Sequence, residues 1–97
     1  METAFTIEKL EKAAFVLKTI AHPLRIAIVD LLSVHEKASV SEICKSLNAE
    51  QSLISHHLSI MKKKGILSSE RKGQRIYYFL EMKEVVGILS CMEKCNI

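Results

Sequence analysis

The sequence has few aromatic residues, no tryptophan and no long apolar run. Aromatic side chains make up 5% of the 97 residues, so the core must be aliphatic, and a hydrophobic content of 48% is enough to build one. This length is typical of one domain. No apolar run approaches the roughly 20 residues of a membrane span, so we expect no membrane partner. Met1 to Lys12 mixes acidic, basic and apolar types, so we expect no signal peptide.

The sequence also lacks the marks of a disulfide framework and of a catalytic site. Cysteine occurs three times, an odd number, which favours reduced thiols and a cytoplasmic protein. No Ser–His–Asp or paired-carboxylate arrangement and no glycine-rich phosphate loop is found. We therefore expect no enzyme activity and no cofactor. A formal net charge of +3 and a pI near 8.8 are compatible with nucleic acid but not diagnostic of it.

The stretch from Val40 to Gly65 predicts two short helices joined by a tight turn. The first helix has apolar residues at helical spacing: Val40, Ile43, Cys44 and Leu47. Asn48 is suited to end it, because asparagine tolerates the left-handed conformation. Ser41 and Glu42 suit its start, where a hydroxyl cap and an acid stabilise free amides and the positive end of the helix dipole.

The second helix of this stretch combines an apolar face with a polar one. Its predicted buried residues are Leu53, Ile54, Leu58 and Met61. Its predicted outward residues are Gln51, Ser52, Ser55, His56 and His57. Neighbours on a helix point about 100° apart, so we expect one histidine of the pair to face outward and the other to face the domain. Glutamine and serine can bond base edges, and Lys62 to Lys64 can meet phosphates, although a solvated helix face fits the same pattern.

Two helices are predicted before this stretch. Thr6 is the candidate cap of the first, and its apolar stripe suits either the core or a dimer contact: Ile7, Leu10, Ala14, Leu17 and Ile20. Pro23 is suited to open the next helix, which is apolar nearly all round from Leu24 to Val34. Its charges Arg25 and Asp30 are expected at a solvated edge. His35 to Ser39 is predicted to be a short polar link.

A hairpin and a last helix are predicted after Gly65. Two β-prone runs flank Lys72-Gly73-Gln74, with Gly73 supplying the turn and Arg71, Lys72 and Arg75 forming a basic tip. Helical spacing returns from Glu81 to Cys95. Its apolar side consists of Met82, Val85, Val86, Leu89 and Met92.

This order of elements is that of a winged helix-turn-helix, and the sequence resembles the ArsR/SmtB family of dimeric bacterial repressors. The resemblance spans Ala13 to Glu84 and is carried by A-H-P-L-R-I-A-I-V-D-L-L, S-L-I-S-H-H-L-S-I-M-K-K-K-G-I-L and R-K-G-Q-R-I-Y-Y-F-L. It implies a mostly α-helical fold over residues 1–97 as one domain. It also implies a homodimer whose interface is formed by the first and last helices.

The resemblance further implies a repressor that binds an inverted repeat in double-stranded DNA. The implied DNA-binding residues lie on the second helix of the unit and on the wing: Gln51, Ser52, Ser55, His56, His57, Lys62, Lys72, Gln74 and Arg75. The alternative is a winged-helix protein-interaction module that uses the hairpin or the last helix. A thiol enzyme on Cys91 and Cys95 lacks a nearby histidine to activate a thiolate.

The sequence departs from the metal-sensing pattern of that family. Ser39 and Ser41 occupy the positions of its thiolate pair, and Met82 stands where a carboxylate is needed. We therefore expect weak or no metal response. Cys91 and Cys95 lie four residues apart on one helix face and are the candidate sensing residues. Alternatively, Cys91 is an interface residue and Cys95 lies in a fraying terminus. Cys44 is expected in the core.

Overall fold

The computed structural model describes residues 4–95, which form five helices and a small antiparallel sheet. The order confirms the predicted winged helix-turn-helix, with one additional strand. The elements are α1 (Ile7–Ile20), α2 (Pro23–Val34), β1 (Ala38–Ser39), α3 (Val40–Leu47), α4 (Gln51–Lys63), β2 (Leu67–Lys72), β3 (Arg75–Leu80) and α5 (Val85–Lys94). No helix in this range is both long and apolar enough to cross a membrane.

The first helix begins where predicted but turns most of its apolar stripe away from the domain. The Thr6 side chain accepts a hydrogen bond from the Lys9 N–H, which confirms the cap. The buried residues of α1 are Val16, Thr19 and Ile20. The larger exposed apolar residues, between 43% and 69% accessible, are Ile7, Leu10, Phe15 and Leu17. The prediction that this stripe packs in the core of its own chain is therefore wrong for most of its residues. The alternative, a dimer contact, stays a prediction.

The second helix is central, as its composition predicts. Pro23 occupies the first turn, and the His22 Nδ1 caps the helix by accepting from the Leu24 N–H at 3.1 Å. Ile28 and Val29 are 0% exposed. Proline fits there because its missing N–H would have no helical partner.

The start of α3 corrects one prediction and its end confirms another. The cap is Ser39, not Ser41: Ser39 accepts from the Glu42 N–H at 3.2 Å, and Glu42 Oε1 accepts from the Ser39 N–H at 2.9 Å. This reciprocal capping box satisfies two otherwise free donors, and the Ser39 bonds lower the pKa of Glu42. Asn48 ends the helix in the left-handed region, with φ of 51°.

The predicted polar link from His35 to Ser39 contains a strand. Ala38 and Ser39 are buried and pair with Tyr78 and Tyr77 of β3, giving the strand order β1-β3-β2. The hairpin is as predicted: Lys72 pairs with Arg75 across a two-residue turn, and Gly73 has the positive φ of 65° that such a turn requires.

The core lies where α2, α3, α4 and the sheet meet. Ile43, Ile54, Leu58, Met61 and Ile66 are all 0% exposed. The prediction that Leu53 is buried is wrong, since it is 45% exposed.

The last helix is shorter than its periodicity predicts. It begins at Val85 rather than Glu81, and its Val85 side chain is buried. Met82 and Leu89 pack against the core as partly buried residues. Val86 and Met92 are 38% and 40% exposed, so part of the predicted apolar side has no cover within the described chain.

Candidate nucleic-acid interface

The polar face of α4 is the first component of the candidate interface. Gln51, Ser52 and His56 are exposed, and Ser55 is half-buried. Ser59, which the sequence reasoning missed, is also exposed; its position four residues after Ser55 was the available signal. These groups are hydroxyl, amide and imidazole, which donate and accept hydrogen bonds at base edges.

The start of α4 is not capped by a side chain. Its N-cap residue Glu50 makes no capping hydrogen bond to the first turn. The first N–H groups of a helix lack intrahelical acceptors and favour an anion nearby. Lys62 is exposed near the other end, about 16 Å from Gln51 along the axis at 1.5 Å per residue. The two residues can therefore contact DNA only at separate points.

His57 does not belong to this polar face, so its predicted outward position is wrong. It is 4% exposed, and its Nδ1 accepts from the Arg25 Nε at 3.0 Å. Burial lowers the pKa of His57, and the positive charges of His22, Arg25 and His56 lower it further. The expectation that the histidine pair divides between solvent and domain is confirmed, with His56 as the exposed member. The solvated edge predicted for Arg25 is wrong.

The wing is the second component of the candidate interface. Arg71, Lys72, Gln74 and Arg75 are exposed around its turn. The Lys72 Nζ lies 3.7 Å from Glu70 Oε1, so part of its charge is offset. Glu70 also pairs with Lys37, and that hydrogen bond lowers the pKa of the carboxyl.

Arg75 is an exposed cation of the wing that lies beside the start of α4. It forms no salt bridge within residues 4–95. A groove of about 370 Å³ separates the start of α3 and α4 from the wing, and Gln51, Gln74 and Arg75 line it together with Ser41. The fold therefore brings the start of α4 and the tip of the wing to one side of the molecule.

The cysteines occupy two different environments. Cys44 is partly buried and packs against the core, as predicted. Cys91 and Cys95 are exposed, and the Cys95 N–H donates to the Cys91 carbonyl at 3.0 Å at the end of α5. Within the described chain no group of three or more His, Cys, Asp or Glu residues is placed to hold a metal ion.

Comparison with known proteins identifies the relatives of this chain. Residues 22–69 match the model of the bacterial regulatory protein, arsR family. The transcriptional repressor PagR of Bacillus anthracis is 40% identical over 83 residues, which cover 86% of this chain and 83% of PagR. The crystal structure of PagR aligns with a TM-score of 0.79 at 38% identity, over 90% of this chain and 99% of PagR.

Two further solved structures share the fold. HlyU from Vibrio cholerae aligns with a TM-score of 0.82 at 26% identity, over 92% of this chain and 96% of HlyU. A homodimeric winged helix-turn-helix DNA-binding domain from Mycobacterium bovis aligns with a TM-score of 0.73 at 24% identity, over 96% of this chain and 85% of that domain. At that identity the second likeness concerns the fold alone.

Proposed function

The chain belongs to the ArsR family of bacterial regulatory proteins and is a DNA-binding transcriptional regulator, and from that premise we propose that it is a repressor. It acts as a homodimer on an inverted-repeat operator in the cytoplasm. The single observation that carries the proposal is the placement of the exposed polar face of α4 beside the basic wing, on one side of the molecule.

In this proposal α4 is the recognition helix and lies in the major groove. Gln51, Ser52, Ser55 and His56 meet base edges, where side-chain donors and acceptors distinguish base pairs. Lys72, Gln74 and Arg75 of the wing, with Lys62, contact the backbone and fix the register. Ser59 extends the same face by one turn.

The exposed apolar residues of α1 and α5 support the homodimer. Ile7 and Leu17 of α1 are 69% and 49% exposed, and Val86 and Met92 of α5 carry the apolar surface on the other helix. An isolated chain of this size buries a modest fraction of its surface, so burying these residues against a second copy adds stability. Two-fold symmetry then sets the recognition helices roughly 34–36 Å apart, one turn of DNA.

Selection of DNA from a random pool, followed by anisotropy titration, tests the function. The selected duplex should contain an inverted repeat and bind far more tightly than a scrambled duplex of the same composition. Equal affinity for both duplexes would remove the sequence-specific function. The same selection, repeated with zinc and with an oxidant, tests regulation.

We place any sensing by this chain at Cys91 and Cys95, both exposed at the end of α5. Oxidation or modification there would change packing between protomers and with it the spacing of the two recognition helices. Because both half-sites must be met at once, such a change lowers DNA affinity. A strong metal response is not proposed, since Ser39 and Ser41 cannot act as thiolate ligands.

A further inference from the structure

The carbonyl of Thr19, in the last turn of α1, lacks its usual helical partner. In a continuing helix it would accept from the N–H four residues later. That residue is Pro23, which has no N–H. The Arg25 Nη1 donates to this carbonyl instead, at 2.7 Å. Arg25, in the first turn of α2, therefore closes the joint between α1 and α2.

The same guanidinium holds the inner face of α4. Its Nε donates to the Nδ1 of His57 at 3.0 Å, although the two residues are 32 positions apart in sequence. Arginine cannot accept a hydrogen bond, so Nδ1 is the accepting nitrogen and neutral His57 carries its proton on Nε2. That Nε2 is buried and has no hydrogen-bond partner in the described structure. Buried polar groups are normally paired, so a histidine here needs a reason other than filling space.

The surroundings of His57 require it to stay neutral. The ring of His22, which caps α2, lies 4.6 Å away, and that of His56, on α4 itself, lies 5.6 Å away. Among residues 4–95, the charged or titratable groups that act on His57 are these two histidines and Arg25, and none of the three is an acid. A protonated His57 would present an N–H to the Arg25 N–H and add a positive charge among cations. The contact with Arg25 therefore exists only while His57 is neutral.

We propose that Arg25 is a positioning residue for DNA recognition, which fixes the orientation of α4 on the α1–α2 joint through His57. The inference rests on the function proposed above. One guanidinium bonds the end of α1 and the middle of α4 at once, so neither helix can shift against the other without losing a bond. His56, the neighbour of His57, lies on the polar face of α4. The orientation of its side chain therefore depends on the hydrogen bond between Arg25 and His57. A displacement of α1 in the dimer reaches the recognition helix by the same route.

Two substitutions of His57 separate positioning from stability. His57→Asn places an amide oxygen close to the position of Nδ1, so it can accept from Arg25 but cannot titrate. His57→Leu fills the site and removes the unpaired N–H, but offers Arg25 no acceptor. We expect the Asn variant to bind the selected duplex nearly as the parent does and the Leu variant to bind it about tenfold more weakly, with little change on a scrambled duplex. Unfolding curves recorded in parallel confirm that both variants are folded.

The pH profile gives a readout that a purely structural role would not move. Because the pKa of His57 lies below its ordinary value of 6.5, the specific affinity of the parent should fall relative to that of His57→Asn as the pH drops from about 6.5 towards about 5. His22 and His56 are present in both proteins, so the comparison concerns the change at residue 57. Arg25→Lys is the second variant, because it keeps the charge but lacks two separately placed donors; it should lose specific affinity as His57→Leu does.

Two results would overturn the proposal. One is a folded His57→Leu variant with the affinity of the parent. The other is an Asn variant whose pH profile coincides with that of the parent. A parent protein that binds every duplex equally would instead overturn the DNA-recognition function itself, so the two failures are distinguishable.

Discussion

Neutralising Arg75 tests the wing quantitatively. Arg75 is exposed and forms no salt bridge within residues 4–95, so its charge is available to a phosphate. Each lost phosphate contact lowers the slope of log affinity against log salt by about 0.9. A homodimer carries two copies of the residue, so Arg75→Gln should lower the slope by about 1.8.

That change in slope has a direct consequence for affinity. When the salt concentration rises from about 50 mM to about 200 mM, the factor by which affinity falls should be roughly twelve times smaller for Arg75→Gln than for the parent. Lys72→Gln is the matched control: it should change the slope less, because Lys72 already lies 3.7 Å from Glu70. Anisotropy titrations at four salt concentrations measure both slopes. An unchanged slope for Arg75→Gln would remove the wing from the DNA interface.

Three further predictions concern the recognition helix, the thiols and stability. Ser55→Ala and His56→Ala should each weaken specific binding by roughly 1–3 kcal/mol and non-specific binding far less; equal losses on both kinds of DNA would mean that these side chains touch only phosphates. Zinc should change affinity little, and any release of DNA by peroxide or a persulfide donor should disappear in the Cys91→Ser, Cys95→Ser variant; release identical to that of the parent would make both cysteines packing residues. Because the pKa of His57 lies below its ordinary value of 6.5, the unfolded chain takes up that proton first as the pH falls. The free energy of unfolding, measured in urea titrations, should therefore decrease below about pH 6.5, and it should decrease less in His57→Leu.

The local signals in the sequence predicted the elements of the DNA-binding unit well. Asn48 and Gly73 both adopt the positive φ expected of them, and the apolar spacing of α3 and α4 placed both helices. These features depend on neighbours in sequence, so a pattern within a few residues contains the necessary information. The capping residue differed by two positions, since Ser39 and Ser41 are both hydroxyl residues near the start of α3.

The features that were missed depend on residues distant in sequence. Leu53 is exposed and His57 is buried, contrary to their predictions, and the buried His57 accepts a hydrogen bond from Arg25, which lies 32 residues earlier in the chain. Helical periodicity also cannot distinguish an apolar face that packs on its own domain from one that remains for another chain. The exposed Ile7 and the buried Val16 of α1 illustrate this difference.

The central claim is that α4 and the wing together form the DNA-binding surface, and amide chemical-shift mapping tests it most directly. Isotope-labelled protein is titrated with the selected inverted-repeat duplex. We expect the largest shifts along α4, from Gln51 to Lys62, and around the wing from Lys72 to Arg75, with small shifts elsewhere. Large shifts confined to α1 and α5, with the amides of α4 and the wing unmoved, would contradict it.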